Sequence, residues 1–353
     1  MISELLHHFA LDTKEPAVEA FGSGLINNTW LVKTQNKRYI LQRINENVFK
    51  RPQAIDDNIS AIDLYLKKKF AGYTFTSPVL STKGKSLVKT NNGSFRLFEF
   101  IEGSHSYTVI ENPELAYEAA KQFGKFTKLL AGFDINQLKI TLPDFHNLTL
   151  RHTQFTNAIK NASSERLTKA KKIIDALHGY YDIVETFEAI KINSSFIKRV
   201  THHDTKISNV LFDKNNKGIC IIDLDTVMPG YFISDVGDMM RTYLSPAGEE
   251  ETDFSKIEVR ESYFDGIVHG YLDEMHNELT PDEKRYFVYA GKFMIYMQAL
   301  RFISDYLNND IYYGANYELH NFNRAENQLI LLNILVVKEK KLSERVSAFI
   351  NRF

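Results

Sequence analysis

Over the first hundred residues the apolar positions come in short bursts: Val18 to Phe21, Trp30 to Thr34, Arg38 to Ile44, Lys85 to Lys89 and Phe95 to Phe100. Short runs rich in β-branched and aromatic residues, bounded by polar clusters, predict strands. Gln35-Asn36-Lys37 makes one turn, and Asn92-Gly93 is a strong hairpin signal. The period changes once. Between Pro52 and Phe70, Ile55, Ile59, Ile62 and Leu66 recur at three- or four-residue steps, as on an amphipathic helix.

Glu102-Gly103-Ser104 breaks this pattern, and nearly everything after it reads as helical. Asn112 caps and Pro113 starts a helix whose apolar face runs through Leu115, Ala119, Phe123, Phe126 and Leu130. Further helices are predicted across 164–188, 256–274 and 281–308. The exception is Lys198 to Val227, where two β-like runs enclose a polar loop. The chain therefore divides into a small β-rich lobe with one helix, residues 1–101, and a large mainly helical lobe, residues 102–353.

Composition narrows the field by exclusion. The 353 residues are 44% apolar with a formal charge of −1, so nothing global points to nucleic acid or an anionic membrane. Cys220 is the sole cysteine, which rules out an intrachain disulfide and suits a reducing cytoplasm. The first dozen residues lack the basic flank and long apolar stretch of a signal peptide. The longest apolar run, near Leu329 to Val337, contains Asn333 and is too short to span a bilayer. A cytoplasmic protein with a small-molecule partner is the expectation.

The chemistry concentrates in Thr201-His202-His203-Asp204-Thr205-Lys206-Ile207-Ser208-Asn209, followed by the apolar strand Ile219-Cys220-Ile221-Ile222 ending in Asp223. Phosphoryl transfer needs a carboxylate to orient the acceptor hydroxyl and take its proton, and oxygen ligands to hold Mg²⁺ against the phosphates. A tight loop can aim Asp204 and Asn209 at one cleft, and a hairpin return can bring Asp223 beside Asn209. Singly, each is most simply a turn or strand-end residue; jointly, they match the protein-kinase catalytic loop and its metal-binding Asp. Asp223-Leu224-Asp225 in place of Asp-Phe-Gly, and no Ala-Pro-Glu downstream, point to a small-molecule acceptor.

From about Phe21 to beyond Asp238 the chain resembles the aminoglycoside phosphotransferase and choline kinase family. Within it, the chain is most similar to the bacterial N-acetylhexosamine 1-kinases. The similar stretches are Gly22 to Thr29, Tyr39 to Asn45, Thr201 to Asn209, Ile222 to Gly230, and Arg301-Phe302 with Asp305-Tyr306-Leu307. The resemblance implies an α+β, protein-kinase-like bilobal fold: a small antiparallel β lobe with one helix, above a large mainly helical lobe. It implies ATP and Mg²⁺ as cofactors and an amino sugar phosphorylated on its anomeric hydroxyl; the alternatives are a kinase of another hydroxylated small molecule (choline, homoserine or aminoglycoside-like) and a degenerate kinase fold that binds without catalysis.

The same resemblance distributes roles. Asp204 is the base, and Asn209 and Asp223 are the metal ligands. Gly22-Ser23-Gly24 would cover the nucleotide phosphates. Gln42 or Arg43 stands where the third strand usually carries a lysine, and Asp57 is the candidate carboxylate partner on the next helix. Backbone groups of Glu99 and Ile101 would meet the adenine edge. His203 points either at the acceptor or away from it. Arg301 and Asp305, four apart on one helix face, would join Tyr312 in binding the sugar. Asp235 would hold the catalytic loop, and His202 would have a structural job.

Overall fold

The computed structural model describes residues 2–11, 15–22 and 26–352. It divides into two compact units: residues 1–105, 129–143 and 211–229, and residues 106–128, 144–210 and 230–353.

The first unit opens with a short helix, α1 (Ile2–Leu6), followed by β1 (Ala17–Ala20), β2 (Asn28–Lys33), β3 (Arg38–Arg43), α2 (Pro52–Lys69), β4 (Val88–Thr90) and β5 (Gly93–Glu99). The five strands form one antiparallel sheet in the order β1-β2-β3-β5-β4. The fourth strand is shorter than its apolar pattern predicts. Lys85 is drawn into a turn in which its N–H donates to Ser81 Oγ and its carbonyl accepts from Ser81 N–H, so pairing begins only at Val88.

Strand alternation sorts the sheet into two faces. One buries Val32, Tyr39, Leu41, Phe95 and Leu97 with Leu5 and Leu6 of α1 and Phe9. On the other face, Thr29, Gln42 and Arg96 form a cross-strand row in register. Ile55, Ile59 and Ile62 form the buried stripe of α2. Asn58, on that helix, donates to the carbonyls of Lys139 and Val227.

The second unit is mostly helical. α3 (Pro113–Leu129) starts where Asn112 Oδ1 accepts from Leu115 N–H. α4 (Leu148–Asn161) and α5 (Ser164–His178) follow, capped by Asn147 and Ser163, and then α6 (Asp182–Ile192). The single helix expected over 164–188 is thus two, broken at Gly179-Tyr180-Tyr181. A three-residue strand, β6 (Arg199–Thr201), enters the motif region. The hairpin β7 (Val210–Phe212) and β8 (Gly218–Ile221) follows in the chain and, from Leu211 on, belongs to the first unit.

α7 (Phe232–Tyr243), α8 (Glu261–Met275), α9 (Pro281–Lys284), α10 (Phe287–Leu307) and α11 (His320–Ile350) complete the unit. The helix expected over 256–274 starts five residues late, because residues 254–256 form a 3-10 turn capped by Asp253. α7 and α10 meet at Gly237, where an added Cβ would lie 2.3 Å from the Ala290 carbonyl oxygen. No helix among the described residues is long and apolar enough to cross a membrane.

Candidate active site

In the second unit, the loop after β6 is held from below by α7. Asp235 accepts from the N–H groups of His202 (3.0 Å) and His203 (2.7 Å), and Asp238 accepts from Thr205 N–H (2.7 Å). The hydroxyl of Tyr243 donates to the Thr205 carbonyl. Burial pushes the Asp235 carboxyl up to about 7, against the pull of its two backbone donors. A loop fixed through its own amides is rigid, which is what a positioned base requires.

His202 is fully buried against Phe123 (5.2 Å between rings), and its Nδ1 accepts from Asp204 N–H at 3.3 Å. His203 adopts a left-handed backbone (φ 66°), with Nδ1 3.1 Å from the Thr201 carbonyl. Its ring fills the space where a Cβ on Gly230 would sit, and it packs on His146 at 5.2 Å. Asp204 remains partly exposed, with Lys206 Nζ 3.0 Å from its carboxylate. Asn209 donates its amide N–H to the Asp204 carbonyl at 2.9 Å. That bond orients the amide and leaves Oδ1 as the atom available to a cation.

A cavity of about 390 Å³ opens in the same unit. Arg151, Asn157 and Asn161 of α4 line it together with Arg301, Asp305 and Tyr312. All three sequence-derived sugar contacts therefore line one cavity, and His203 is not in its wall. Asp305 is heavily engaged: it accepts from Tyr312 N–H (2.8 Å), Tyr313 N–H (2.9 Å) and the Asn321 amide (3.1 Å). Arg301 lies within 6.0 Å of the Phe145 ring, and Phe145 stacks on His146 at 4.5 Å. A chain of ring contacts thus links the cavity wall to the catalytic loop. Burial, then the like charge of Arg301, lowers the Arg151 guanidinium from its ordinary value.

The loop and the cavity also share buried charge. Arg241 donates to Asp238 (3.0 Å) and Glu249 (2.8 Å), and Arg324 pairs with Glu249 and donates to Asn321 (3.2 Å). Asn321 in turn holds Asp305. Glu249 and Arg324 carry no motif, because they pair across 75 positions of sequence. Lys206 did carry a signal: it sits two residues after Asp204 inside the motif.

In the first unit, Gly22 has a left-handed backbone (φ 76°) suited to a turn of exposed amides. Ser23 and Gly24, the rest of that predicted loop, lie outside the described residues. Asp223 follows β8 in a left-handed conformation (φ 61°), a strained setting for a non-glycine residue. Gln42 turns toward Arg96, whose Nε and Nη2 both donate to its Oε1 (3.1 and 2.9 Å). Arg43 is exposed, with its guanidinium against Gly93.

Asp57 departs from its expected partner: it pairs with Lys139 and accepts from Gln53. The preceding Asp56 is the buried carboxylate of α2. Glu99 pairs with Lys37 (2.7 Å), and the Ile101 carbonyl accepts from Ser104 Oγ (2.6 Å). The first unit also contains a cluster in which Arg96, outside every quoted motif, meets two residues from inside them. Arg96, 2% exposed, pairs with Asp225, and Asn27 donates to Asp225 at 2.7 Å.

Comparison with known proteins gives this geometry its class. The phosphotransferase enzyme family (APH) matches residues 17–278, and the chain belongs to that family. The fold is similar to that of an aminoglycoside phosphotransferase from Alicyclobacillus acidocaldarius: TM-score 0.65, 12% identity, covering 97% of this chain and 95% of that one. A microcompartment-associated aminopropanol kinase gives TM-score 0.63 at 13% identity over 98% of both chains. A spectinomycin phosphotransferase solved with ADP and spectinomycin gives 0.59 at 14%, over 96% of this chain and 98% of that one. The protein-kinase-like α+β fold expected from the motifs is therefore the fold observed.

Proposed function

We propose that the protein transfers the γ-phosphoryl group of ATP to the anomeric hydroxyl of an N-acetylhexosamine, giving the sugar 1-phosphate. The charge of the cavity carries this reading. The related folds include kinases of aminopropanol, ethanolamine, choline and spectinomycin, all cationic acceptors. A cation in this cavity would face two guanidinium groups, Arg151 and Arg301, against the single carboxylate of Asp305, so the lining carries one net positive charge. At 4 Å and an effective dielectric of about 20, each like-charge contact costs about 4 kcal/mol, roughly three powers of ten in affinity. A neutral sugar has hydroxyl and acyl oxygens that accept from guanidinium, and C–H faces that suit Tyr312 and Tyr313.

In the proposed reaction the acceptor oxygen forms a bond to the γ-phosphorus as the bond to the β,γ-bridging oxygen breaks. The hydroxyl proton passes to Asp204, and ADP leaves. Asn209 Oδ1 and the Asp223 carboxylate are hard oxygen donors of the kind Mg²⁺ takes, and they would hold it. When bound, Mg²⁺ supplies charge neutralisation at the phosphate oxygens. The β7–β8 hairpin supports pairing these two residues: it starts one residue after Asn209 and ends two before Asp223. Lys206 adds positive charge beside Asp204. Positioning and charge neutralisation together provide most of the rate.

An acceptor panel tests the assignment. N-acetylglucosamine or N-acetylgalactosamine should be turned over with a kcat/KM at least about a hundredfold above choline, ethanolamine or spectinomycin. Preferential turnover of a cationic acceptor would overturn it.

A further inference from the structure

A kinase site needs a cation near the nucleotide phosphates, and β3 offers only Gln42 at the position where a lysine is usual. Directly across the ladder from Gln42 is Arg96 on β5. Cross-strand partners hold their Cβ atoms about 5 Å apart, so a long side chain from position 96 can reach space otherwise served from position 42. The guanidinium does this: two of its nitrogens rest on Gln42 Oε1.

We propose that Arg96 is a positioning cation for nucleotide binding, displaced by one strand from its usual place, which clamps Asp225 and through it both the Asp223 segment and Asn27, the residue before β2.

Asp225 lies two residues after Asp223 in the same 3-10 turn and is 1% exposed. One of its oxygens pairs with Arg96, and the other accepts from Asn27 Nδ2 at 2.7 Å. Asn27 Oδ1 accepts in turn from Asn45 N–H at 2.9 Å. Asn27, next to β2, and the segment that carries Asp223 are therefore fastened to one carboxylate, and Arg96 fixes its direction. Fold stability alone does not account for the pair, because buried ion pairs are often matched or bettered by apolar residues of similar volume. Arg96 Nη1 is also buried without a hydrogen-bond acceptor, a cost that a purely structural arginine would avoid.

The proposal rests on the phosphotransferase reading. Its test is titration calorimetry of ADP, with and without Mg²⁺, on the wild type, Arg96→Met and the relocated double variant Gln42→Lys/Arg96→Met, with thermal melting as a check of folding. Arg96→Met should lose about tenfold or more in affinity for Mg²⁺–ADP and raise the KM for ATP similarly, while the acceptor KM stays within about twofold. The double variant should recover most of the loss, which a merely structural arginine would not allow.

A folded Arg96→Met with unchanged Mg²⁺–ADP affinity overturns the proposal. If Arg96→Met does not fold, Asn27→Ala removes the other hold on Asp225 and leaves the ion pair. The same loss is then expected, and unchanged affinity overturns the proposal. A wild type that binds no nucleotide would instead sink the phosphotransferase reading itself.

Discussion

Asp223, the proposed metal ligand, and His203, which precedes the proposed base Asp204, both carry left-handed backbones. Such conformations cost on the order of 1–3 kcal/mol and persist where the surroundings enforce them. For Asp223 the expected return is a carboxylate aimed at Mg²⁺. Asp223→Ala should therefore abolish the Mg²⁺ dependence of nucleotide binding in calorimetry; a Mg²⁺ response equal to wild type would remove it from the metal site.

His146 gives a prediction in pH. Burial first, then His203, Arg301, Arg241 and Arg151, hold its imidazole well below the ordinary value of 6.5. A histidine with a depressed folded pKa takes up its proton first in the unfolded chain. Its contribution to stability is complete above about pH 6.5 and is lost as the pH falls through that value. Urea midpoints should therefore drop from about pH 7.5 to about pH 5.5, and less steeply in His146→Phe. Equal slopes would show that His146 does not titrate this way.

As a candidate set, Asp204, Asn209 and Asp223 were legible because phosphoryl transfer calls for such residues at short, ordered spacings. Arg96 was not, because its partners Gln42 and Asp225 arrive from elsewhere in the chain and only folding pairs them.

Among the elements, β6 depends on an anchor that no local pattern announces. Arg199, its first residue, makes a two-pronged pair with Glu283 of α9 (2.6 and 2.8 Å), and both side chains are buried. Glu283 also accepts from the N–H groups of Ile197 and Thr280, closing a capping box at the start of α9. Glu283→Ala leaves a buried guanidinium unpaired and should cost about 3–5 kcal/mol in chemical denaturation. A loss under about 1 kcal/mol would mean that water or another carboxylate replaces it.

Strand and helix periodicity made the sheet, α2 and α3 readable. The errors fell where a polar side chain captures the backbone: at Ser81, which shortens β4, and at Asp253, which delays α8. α4 went undistinguished because only Leu148, Phe155 and Ala158 are buried along its length. Its polar residues look like an ordinary solvated face, yet several line the cavity.

For the molecule as a whole, the family and fold establish a phosphotransferase scaffold, and the cavity argues for a neutral, hydroxyl-rich acceptor over the cationic ones of related folds. Sequence reached the scaffold through its motifs, but acceptor chemistry depends on which charges folding gathers around the cavity, as Arg151 and Arg301 beside the single carboxylate of Asp305 illustrate. The most direct test is the product itself. Purified enzyme would be incubated with MgATP and N-acetylglucosamine, and the phosphate located by phosphorus and carbon NMR, for the wild type and Asp204→Ala in parallel. The account predicts phosphate on the anomeric oxygen and turnover reduced by about 10²–10⁴ in the variant, with nucleotide affinity retained. Phosphate on a different hydroxyl, or undiminished turnover by Asp204→Ala, would contradict it.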